Sequence, residues 1–326
     1  MINWSRFTSL IHSHRRFLLT SHIRPDCDAL GSELGMAGVL DALGKEVLIV
    51  NGQKTPPNLA WIDPRERIKA IGADVQLADL DDREVLLVLD TSAWQQLGDM
   101  AIVLRSTAAK KAVLDHHLSE DDWGAEAFKN VKAEATGRLV LEAAGQLGVK
   151  LTPEIATPLF AAIATDTGWF RFSSTTGDTY RFAGQLVDGG ANPTEIYRAL
   201  YEQDTLARLQ LIGRTLARAQ SELAGRLIHT VIFQDDFKAT RALPSDTEDV
   251  VNQTLTVAGT QVAVIFVEQP NGKFKISFRS RSAVNCSRLA EQFAGGGHKA
   301  AAGAMVDGPY DEAQSRVLDA VRAAMK

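Results

Sequence analysis

The feature that most constrains this chain is a set of apolar runs that each stop at an acid or a histidine. Residues 16–21 run into His22-Ile23-Arg24-Pro25-Asp26-Cys27-Asp28. Leu86-Leu87-Val88-Leu89 stops at Asp90-Thr91, and Val113-Leu114 stops at Asp115-His116-His117. A later stretch ends in Ala164-Thr165-Asp166-Thr167-Gly168. One such ending is commonplace. Four in one half of a chain, each carrying a hard or borderline metal donor, point to a single shared site.

Helical patterns separate these runs. Pro25 breaks the first strand, and Asp28 can cap a helix over 28–43, whose Gly31, Gly35, Ala37 and Gly38 let it lie close to a sheet. Strands follow at 46–50, 84–89 and 111–114, with a proline-containing loop over 51–64. Helices are expected over 136–147, 153–164 and 177–188, the second with Thr152 as N-cap and Pro153 at its first position. Strands alternating with helices predict an α/β fold built on a mostly parallel sheet. Ligands of such sheets bind off the carboxyl ends of the strands. Asp26, Asp90 and Asp115 fall there.

The pattern changes near Asn192-Pro193-Thr194. Residues 195–223 read as one long, charged, connecting helix. A second, smaller α/β pattern follows: a strand over 226–233, a helix over 246–257 and strands over 261–268 and 273–279. Asn271-Gly272 marks the hairpin between the last two. A helix over 287–293, a glycine loop and a last helix from 311 complete it. The expected division is therefore a catalytic domain over 1–190, a linking helix over 191–224 and a second domain over 225–326.

Composition bounds the function. The 326 residues are 45% hydrophobic and 23% charged, ordinary for a globular protein with a core. A net charge of -5 argues against a long duplex nucleic acid partner, which favours a basic face. A short charged ligand held by local cations remains compatible with it. Two distant cysteines, Cys27 and Cys286, fit a reducing compartment better than a disulfide scaffold. The start of the chain has no continuous apolar signal segment, and no run approaches the ~20 residues of a membrane helix. The expectation is a cytoplasmic protein without a membrane partner.

The donor types indicate the chemistry. Carboxylates with neutral imidazoles suit Mn²⁺, and a carboxylate-rich set also suits Mg²⁺. Asp26 and Asp28 share one side of an extended segment and can each face a different ion. Asp90 can bridge both, and His116 with Asp166 can complete the second. Two ions roughly 3.5–4 Å apart activate a water and neutralise a phosphoryl group. Taken singly, the same residues read more plainly as a cap, a turn and solvated acids. Asp115 suits the role of orienting a neighbouring histidine. His117 suits substrate contact or general acid catalysis better than metal binding, its plainer reading being a structural histidine.

These motifs together resemble the DHH phosphoesterase superfamily. His22-Ile23-Arg24-Pro25-Asp26-Cys27-Asp28-Ala29-Leu30-Gly31-Ser32, Asp90-Thr91-Ser92, Asp115-His116-His117 and Thr165-Asp166-Thr167-Gly168 look like its four motifs, in order. Phe278-Arg279-Ser280 and the stretch from Gly295 through His298 to Gly303 look like its DHHA1 domain. The compact length resembles the NrnA-type branch, oligoribonucleases that degrade nanoRNA and dephosphorylate 3′-phosphoadenosine 5′-phosphate (pAp). The resemblance implies one ion on His22, Asp26 and Asp90, and a second on Asp28, Asp90, His116 and Asp166. It implies Mn²⁺ or Mg²⁺, with Mn²⁺ preferred. Cys27 departs from the family, which usually has glycine there, and is read as a non-ligand.

In the second domain, Gly295-Gly296-Gly297 lets backbone N–H groups approach an anion, and His298 with Lys299 can add hydrogen bonds and charge. The spacing is not that of a Walker motif. Arg279, with Ser280 beside it, is the better phosphate contact; Arg281 reads as a strand end. An active site in the interdomain cleft would hold the scissile phosphate on the metals and the far end of a short substrate on Arg279, Ser280, Gly296, Gly297 and His298. The leading expectation is an exoribonuclease and bisphosphate nucleotidase acting on nanoRNA and pAp, with catalytic roles for Asp90, Asp115 and His117. The alternatives are a phosphodiesterase for cyclic or linear dinucleotides and a non-catalytic nucleotide-binding protein. A pyrophosphatase lacks the glycine-histidine pattern, and a processive exonuclease needs a longer chain. A homodimer is compatible with all of them.

Overall fold

The computed structural model describes residues 2–118, 121–248 and 250–326, and all counts below are of these described residues. The chain divides after Gln203 into two compact units.

The first unit is built on six strands: β1 (Arg16–Thr20), β2 (Glu46–Asn51), β3 (Ile68–Ala70), β4 (Val85–Leu89), β5 (Lys110–Asp115) and β6 (Glu126–Lys129). Their order is β3-β2-β1-β4-β5-β6, every pair parallel. The order reverses at β1, with β2 on one side and β4 on the other, so a crevice opens beyond the carboxyl ends of β1 and β4. Helices are α1 (Trp4–Ser13), α2 (Cys27–Ala42), α3 (Met100–Ser106), α4 (Thr136–Gln146), α5 (Pro153–Asp166), α6 (Gly177–Asp188) and α7 (Pro193–Tyr201).

Both faces of this sheet are covered, which is why its strands are apolar throughout. Phe17, Leu19, Leu87, Leu89 and Leu114 join one core with residues of α1, α2, α4 and α5. Leu18, Leu86, Val88 and Val113 point the other way, into a smaller core with Met100, Val103 and Leu104 of α3. Each fully buried aliphatic side chain of this kind is worth about 1.5–3 kcal/mol. The sequence reading misses β3 and β6, edge strands of three and four residues without an apolar run. It also misses α1 and α3, short helices at the sheet's periphery.

Two local expectations are corrected. The N-cap of α2 is Asp26, not Asp28: the Asp26 carboxylate accepts from the N–H groups of Asp28 and Ala29, each at 3.0 Å. Asp26 and Asp28 therefore occupy a helix start rather than an extended segment. The glycines of α2 pack against α5 rather than the sheet. A Cβ on Gly31 would lie 2.4 Å from the Pro158 carbonyl oxygen, and those on Gly35 and Gly38 would meet Leu159 and Ile155.

The single connecting helix expected over 195–223 is two helices. α7 ends at Tyr201, and α8 (Leu206–Ala217) begins anew with Thr205 as its cap, accepting from Arg208 N–H at 3.1 Å. The second unit continues with β7 (Gln220–Glu222), β8 (Leu227–Ile232), α9 (Gln234–Thr240), α10 (Val250–Thr254), β9 (Val262–Glu268), β10 (Phe274–Ser280), α11 (Cys286–Glu291), β11 (Gly296–Gly297), β12 (Ala301–Val306) and α12 (Tyr310–Ala324). The helix expected over 246–257 shortens to a 3₁₀ turn, Pro244–Thr247, and α10; residue 249 lies outside the described residues. The sheet order is β11-β12-β10-β9-β8-β7, antiparallel except for β8 with β9. Gly272 closes the β9–β10 hairpin at φ +78°, a left-handed value that glycine accepts without strain. Among the described residues no helix is long and apolar enough to cross a membrane.

Candidate metal centre

The site begins where β1 ends. Ser21 N–H donates to the Asn51 side chain at 3.0 Å, which fixes the strand's exit and the direction of His22. His22 Nδ1 lies 2.9 Å from the Ile23 carbonyl oxygen, an atom that can only accept. The Nδ1 proton is thereby placed, and Nε2 carries the lone pair. That lone pair meets carboxylates: Asp90 Oδ2 at 3.4 Å and Asp26 Oδ1 at 3.9 Å. His116 repeats the device from the end of β5. Its Nδ1 is 3.2 Å from the Ala133 carbonyl, and its Nε2 faces Asp90 Oδ1 at 3.5 Å, Asp166 Oδ2 at 3.5 Å and Asp28 Oδ2 at 3.8 Å.

Acceptors thus face acceptors across two small gaps. Donors sharing an ion at about 2.1 Å stand roughly 3–4 Å from one another, which is the spacing seen. His22, Asp26 and Asp90 form one set, and Asp28, His116 and Asp166 another, with donor atoms inside each set within 4.8 Å of one another. Asp90 offers one oxygen to each side. Asp90, His116 and His117 also qualify as a group.

The electrostatics call for a cation. Burial, then the neighbouring charges of Asp28 and Asp26, raise the Asp90 carboxyl far above the ordinary carboxylate range. Burial, with the same two acids, pushes Asp166 up to about 8. Burial also raises Asp28, against the pull of His116 and of N–H groups at the start of α4. Oxygen and imidazole donors crowded this way suit a divalent ion, which relieves their mutual repulsion.

Supporting groups hold the carboxylates. Asp28 Oδ2 and Oδ1 accept from the N–H groups of Thr136 and Gly137, each at 2.8 Å, at the amino end of α4, where a negative charge is favoured. The Thr136 hydroxyl donates to Asp90 Oδ1 at 2.8 Å. Asp90 itself sits at φ +62°, a left-handed value, with its N–H bonded to the Leu114 carbonyl at 3.1 Å. Aspartate tolerates that conformation better than most residues. The sequence reading misses Thr136 and Gly137. Their signal is a polar helix start, indistinguishable by itself from any other cap.

Asp115 and His117 form a separate arrangement. Asp115 is fully buried, and its Oδ1 accepts from His117 Nδ1 at 2.9 Å and His117 N–H at 3.0 Å. Its Oδ2 accepts from the Ser92 hydroxyl at 2.6 Å and lies 3.4 Å from Lys129 Nζ. Burial drives the Asp115 carboxyl up, but the hydrogen bonds from His117 and Ser92 outweigh it and keep it low. The bond to Asp115 raises His117 in turn. With Nδ1 so engaged, Nε2 is the working end of a half-exposed ring. The sequence reading does not reach Lys129 on β6, because an edge strand gives no reason to look there.

Cys27 stands apart from the donors. Burial pushes its thiol up to about 12, so it is neutral, and it belongs to none of the donor groups.

The second unit places its expected residues less uniformly. Strand alternation sets Arg279 and Ser280 on opposite faces of β10. Arg279 shares a shallow cavity with Lys275, Ser277, Thr247 and Glu248. Ser280 is buried, its hydroxyl 3.1 Å from that of Ser282. Arg281 donates to the Leu255 carbonyl at 2.8 Å. Gly296 and Gly297 pair with Gly303 and Ala302, and His298 is exposed at the turn that follows. At Gly297, with φ +144°, a Cβ would meet Ala302 Cα at 2.6 Å, so glycine there serves close strand packing.

Residues 16–163 match the DHH family N-terminal domain, and residues 231–326 match the DHHA1 domain. The bifunctional oligoribonuclease and PAP phosphatase NrnA of Thermus thermophilus is 31% identical over 310 residues, 93% of this chain and 88% of that protein. The crystal structure of an exopolyphosphatase-related protein from Bacteroides fragilis superposes with a TM-score of 0.85 at 26% identity, covering 98% of this chain and 95% of that one. Exonuclease RecJ bound to manganese shares the fold, with a TM-score of 0.56 at 14% identity over 99% of this chain and 95% of that one. The chain belongs to the DHH family, in the group whose N-terminal DHH domain is followed by a DHHA1 domain.

Proposed function

We propose that this chain is a metal-dependent phosphoesterase that hydrolyses short oligoribonucleotides to mononucleotides and pAp to AMP. The observation that carries the reading is the pair of donor sets meeting at Asp90, each with an imidazole whose lone pair is turned inward by a backbone carbonyl. The activities named for the Thermus relative, similar over nearly the whole chain, support the substrate class. Two free, buried cysteines support a reducing, cytoplasmic setting.

Two Mn²⁺ or Mg²⁺ ions bound there would supply an acidified water and neutralise charge on the phosphoryl group. His22, Asp26 and Asp90 hold one side; Asp28, Asp90, His116 and Asp166 hold the other. Thr136 and Gly137 keep Asp28 and Asp90 aimed. His117, oriented and made more basic by Asp115, delivers a proton from Nε2 to the leaving oxygen. In the DHHA1 unit, Arg279, Gly296, Gly297 and His298 hold the end of the substrate that does not react, and Ser280 steadies the strand behind Arg279.

The test is a panel of pAp, RNAs of two to five nucleotides and cyclic di-AMP, each with Mn²⁺. Turnover of pAp and the shortest RNAs ahead of cyclic di-AMP is expected. Preference for the cyclic dinucleotide, or no turnover of any of them, overturns the reading.

A further inference from the structure

Immediately beyond Asp166, the backbone takes three consecutive left-handed residues: Gly168 at φ +57°, Trp169 at +58° and Phe170 at +63°. Only the first is a glycine. Bulky aromatic residues rarely adopt this conformation, and surrounding bonds impose it here. Trp169 N–H donates to the Ala164 carbonyl at 2.6 Å, Phe170 N–H to the Thr167 hydroxyl at 3.1 Å, and Arg171 Nε to the Gly168 carbonyl at 2.6 Å. The turn folds Trp169 and Phe170 back onto Phe160 of α5, with ring centroids 6.0 and 5.9 Å away, three and four residues beyond a candidate metal ligand.

Trp169 meets two tyrosines from α7. Its ring centroid is 5.0 Å from that of Tyr197 and 5.8 Å from that of Tyr201, with those two 5.0 Å apart. The contacts are edge-to-face or tilted, so no two of these three rings stack in parallel. Tyr197 is 39% exposed and Tyr201 46%, too much for an aromatic core. The array adjoins the candidate metal centre along the chain: Trp169 follows Asp166 by three residues with its N–H bonded to Ala164, and Arg171 follows two residues later. Partly exposed tyrosine rings and a cation near a phosphate-handling centre are the elements of a single-stranded nucleic acid platform.

We propose that Tyr201, Tyr197 and Trp169 form a stacking platform for the nucleobase nearest the reacting phosphate, with Arg171 at its edge. The platform lies wholly within the catalytic unit and rests on the phosphoesterase reading for its substrate class. Every base has a π-face, so it would admit any base and confer little sequence preference.

The test measures binding, so it does not depend on turnover. Affinities for AMP and for ribose 5-phosphate, its baseless counterpart, are measured with Mn²⁺ by titration calorimetry for the full chain, Tyr201→Ala, Tyr197→Ala and Tyr201→Phe. AMP should bind the unaltered protein more tightly than ribose 5-phosphate. Tyr201→Ala should weaken AMP roughly 5- to 100-fold, the range of one lost stack, and leave ribose 5-phosphate unchanged. Tyr201→Phe keeps the ring and should bind both as the unaltered protein does. Tyr197→Ala should act in the same direction and stands in should Tyr201→Ala fail to fold. Equal losses on both ligands, a phenylalanine variant as weak as the alanine one, or no preference for AMP in the unaltered protein each overturn the platform. A chain that keeps the AMP preference but hydrolyses nothing in the substrate panel overturns the phosphoesterase reading instead.

Discussion

The two sheets of this protein have the same number of strands among the described residues and opposite chemistry. The first is all parallel, covered on both faces, and gathers acids and histidines at its carboxyl ends. The second is mostly antiparallel, with one face of β10 buried through Phe274, Ile276 and Phe278 and the other presenting Lys275, Ser277 and Arg279. Parallel strands all end on the same side, so residues distant in sequence converge there, as His22, Asp90 and His116 do. Antiparallel strands send successive ends to opposite sides and serve better as a surface with side chains at regular intervals. Bond breaking is therefore expected to reside in the first unit and substrate selection in the second.

The strongest way to break that division is at Asp90. Asp90→Asn keeps the shape and a residue type that accepts the left-handed backbone, but removes the charge between the two donor sets. Turnover should fall by at least about 10³-fold, the scale on which charge-stabilising groups act, and bound Mn²⁺ should fall with it. Near-normal activity with added Mn²⁺ would mean the donor sets do not act together.

His117→Ala sharpens the comparison within the first unit. Rate should drop by roughly 10²–10⁴, as for a lost general acid, with bound Mn²⁺ unchanged by elemental analysis. Loss of an ion would instead place His117 among the ligands, with Asp90 and His116.

Arg279→Ala probes the second unit. KM for a dinucleotide and for pAp should rise roughly 10- to 100-fold, the scale of lost bonds to a charged group, while kcat/KM for a small phosphodiester changes far less. Arg279→Lys should not restore the loss, because an ammonium cannot reproduce a bidentate guanidinium contact. Equal losses on both substrates would erase the division between the sheets.

The smallest effect on turnover is expected from Glu33, behind the site on α2. It is fully buried, with Oε2 accepting from Asn51 at 2.9 Å, and burial pushes its carboxyl up to about 8. An unfolded glutamate titrates near ~4.3. The folded chain therefore keeps a proton that the unfolded chain has released between those values. Its contribution to stability is complete below pH ~4.3 and is lost as pH rises towards about 8. Glu33→Gln should flatten the fall in melting temperature over that window. An unchanged slope would show that Glu33 ionises freely in the fold.

Much of this is legible in the residues alone. The parallel sheet follows from apolar runs alternating with helical patterns, and its donors from the residues that end those runs. What stays hidden is local and geometric. Asp26 and Asp28 are equally good caps on paper; only the approach of Thr136 and Gly137 decides that Asp28 reaches across to α4. β3 and β6 are too short to carry a periodicity, so Lys129 cannot be placed from sequence. The break between α7 and α8 has a signal in Asp204-Thr205, masked because helical spacing resumes after it. Strand alternation alone separates Ser280 from Arg279, and the Arg-Ser pair obscures it.

The glycines of α2 carry a consequence for how this site can drift. The helix that begins at Asp26 and Asp28 and the helix that ends at Asp166 meet backbone to backbone at Gly31, where a methyl group would strike the Pro158 carbonyl oxygen and, at 3.0 Å, Ala162 Cβ. Backbone cannot step aside as a side chain can. Farther along, Gly35 and Gly38 face the side chains of Leu159 and Ile155 instead. The pair of helices therefore works like a caliper whose firmest stop is backbone against backbone, at Gly31. A lineage could change the spacing between Asp28 and Asp166 through one residue that belongs to neither donor set. The same caliper makes Gly31 a position where a substitution is expected to shift Asp28 against Asp166 without adding or removing a donor.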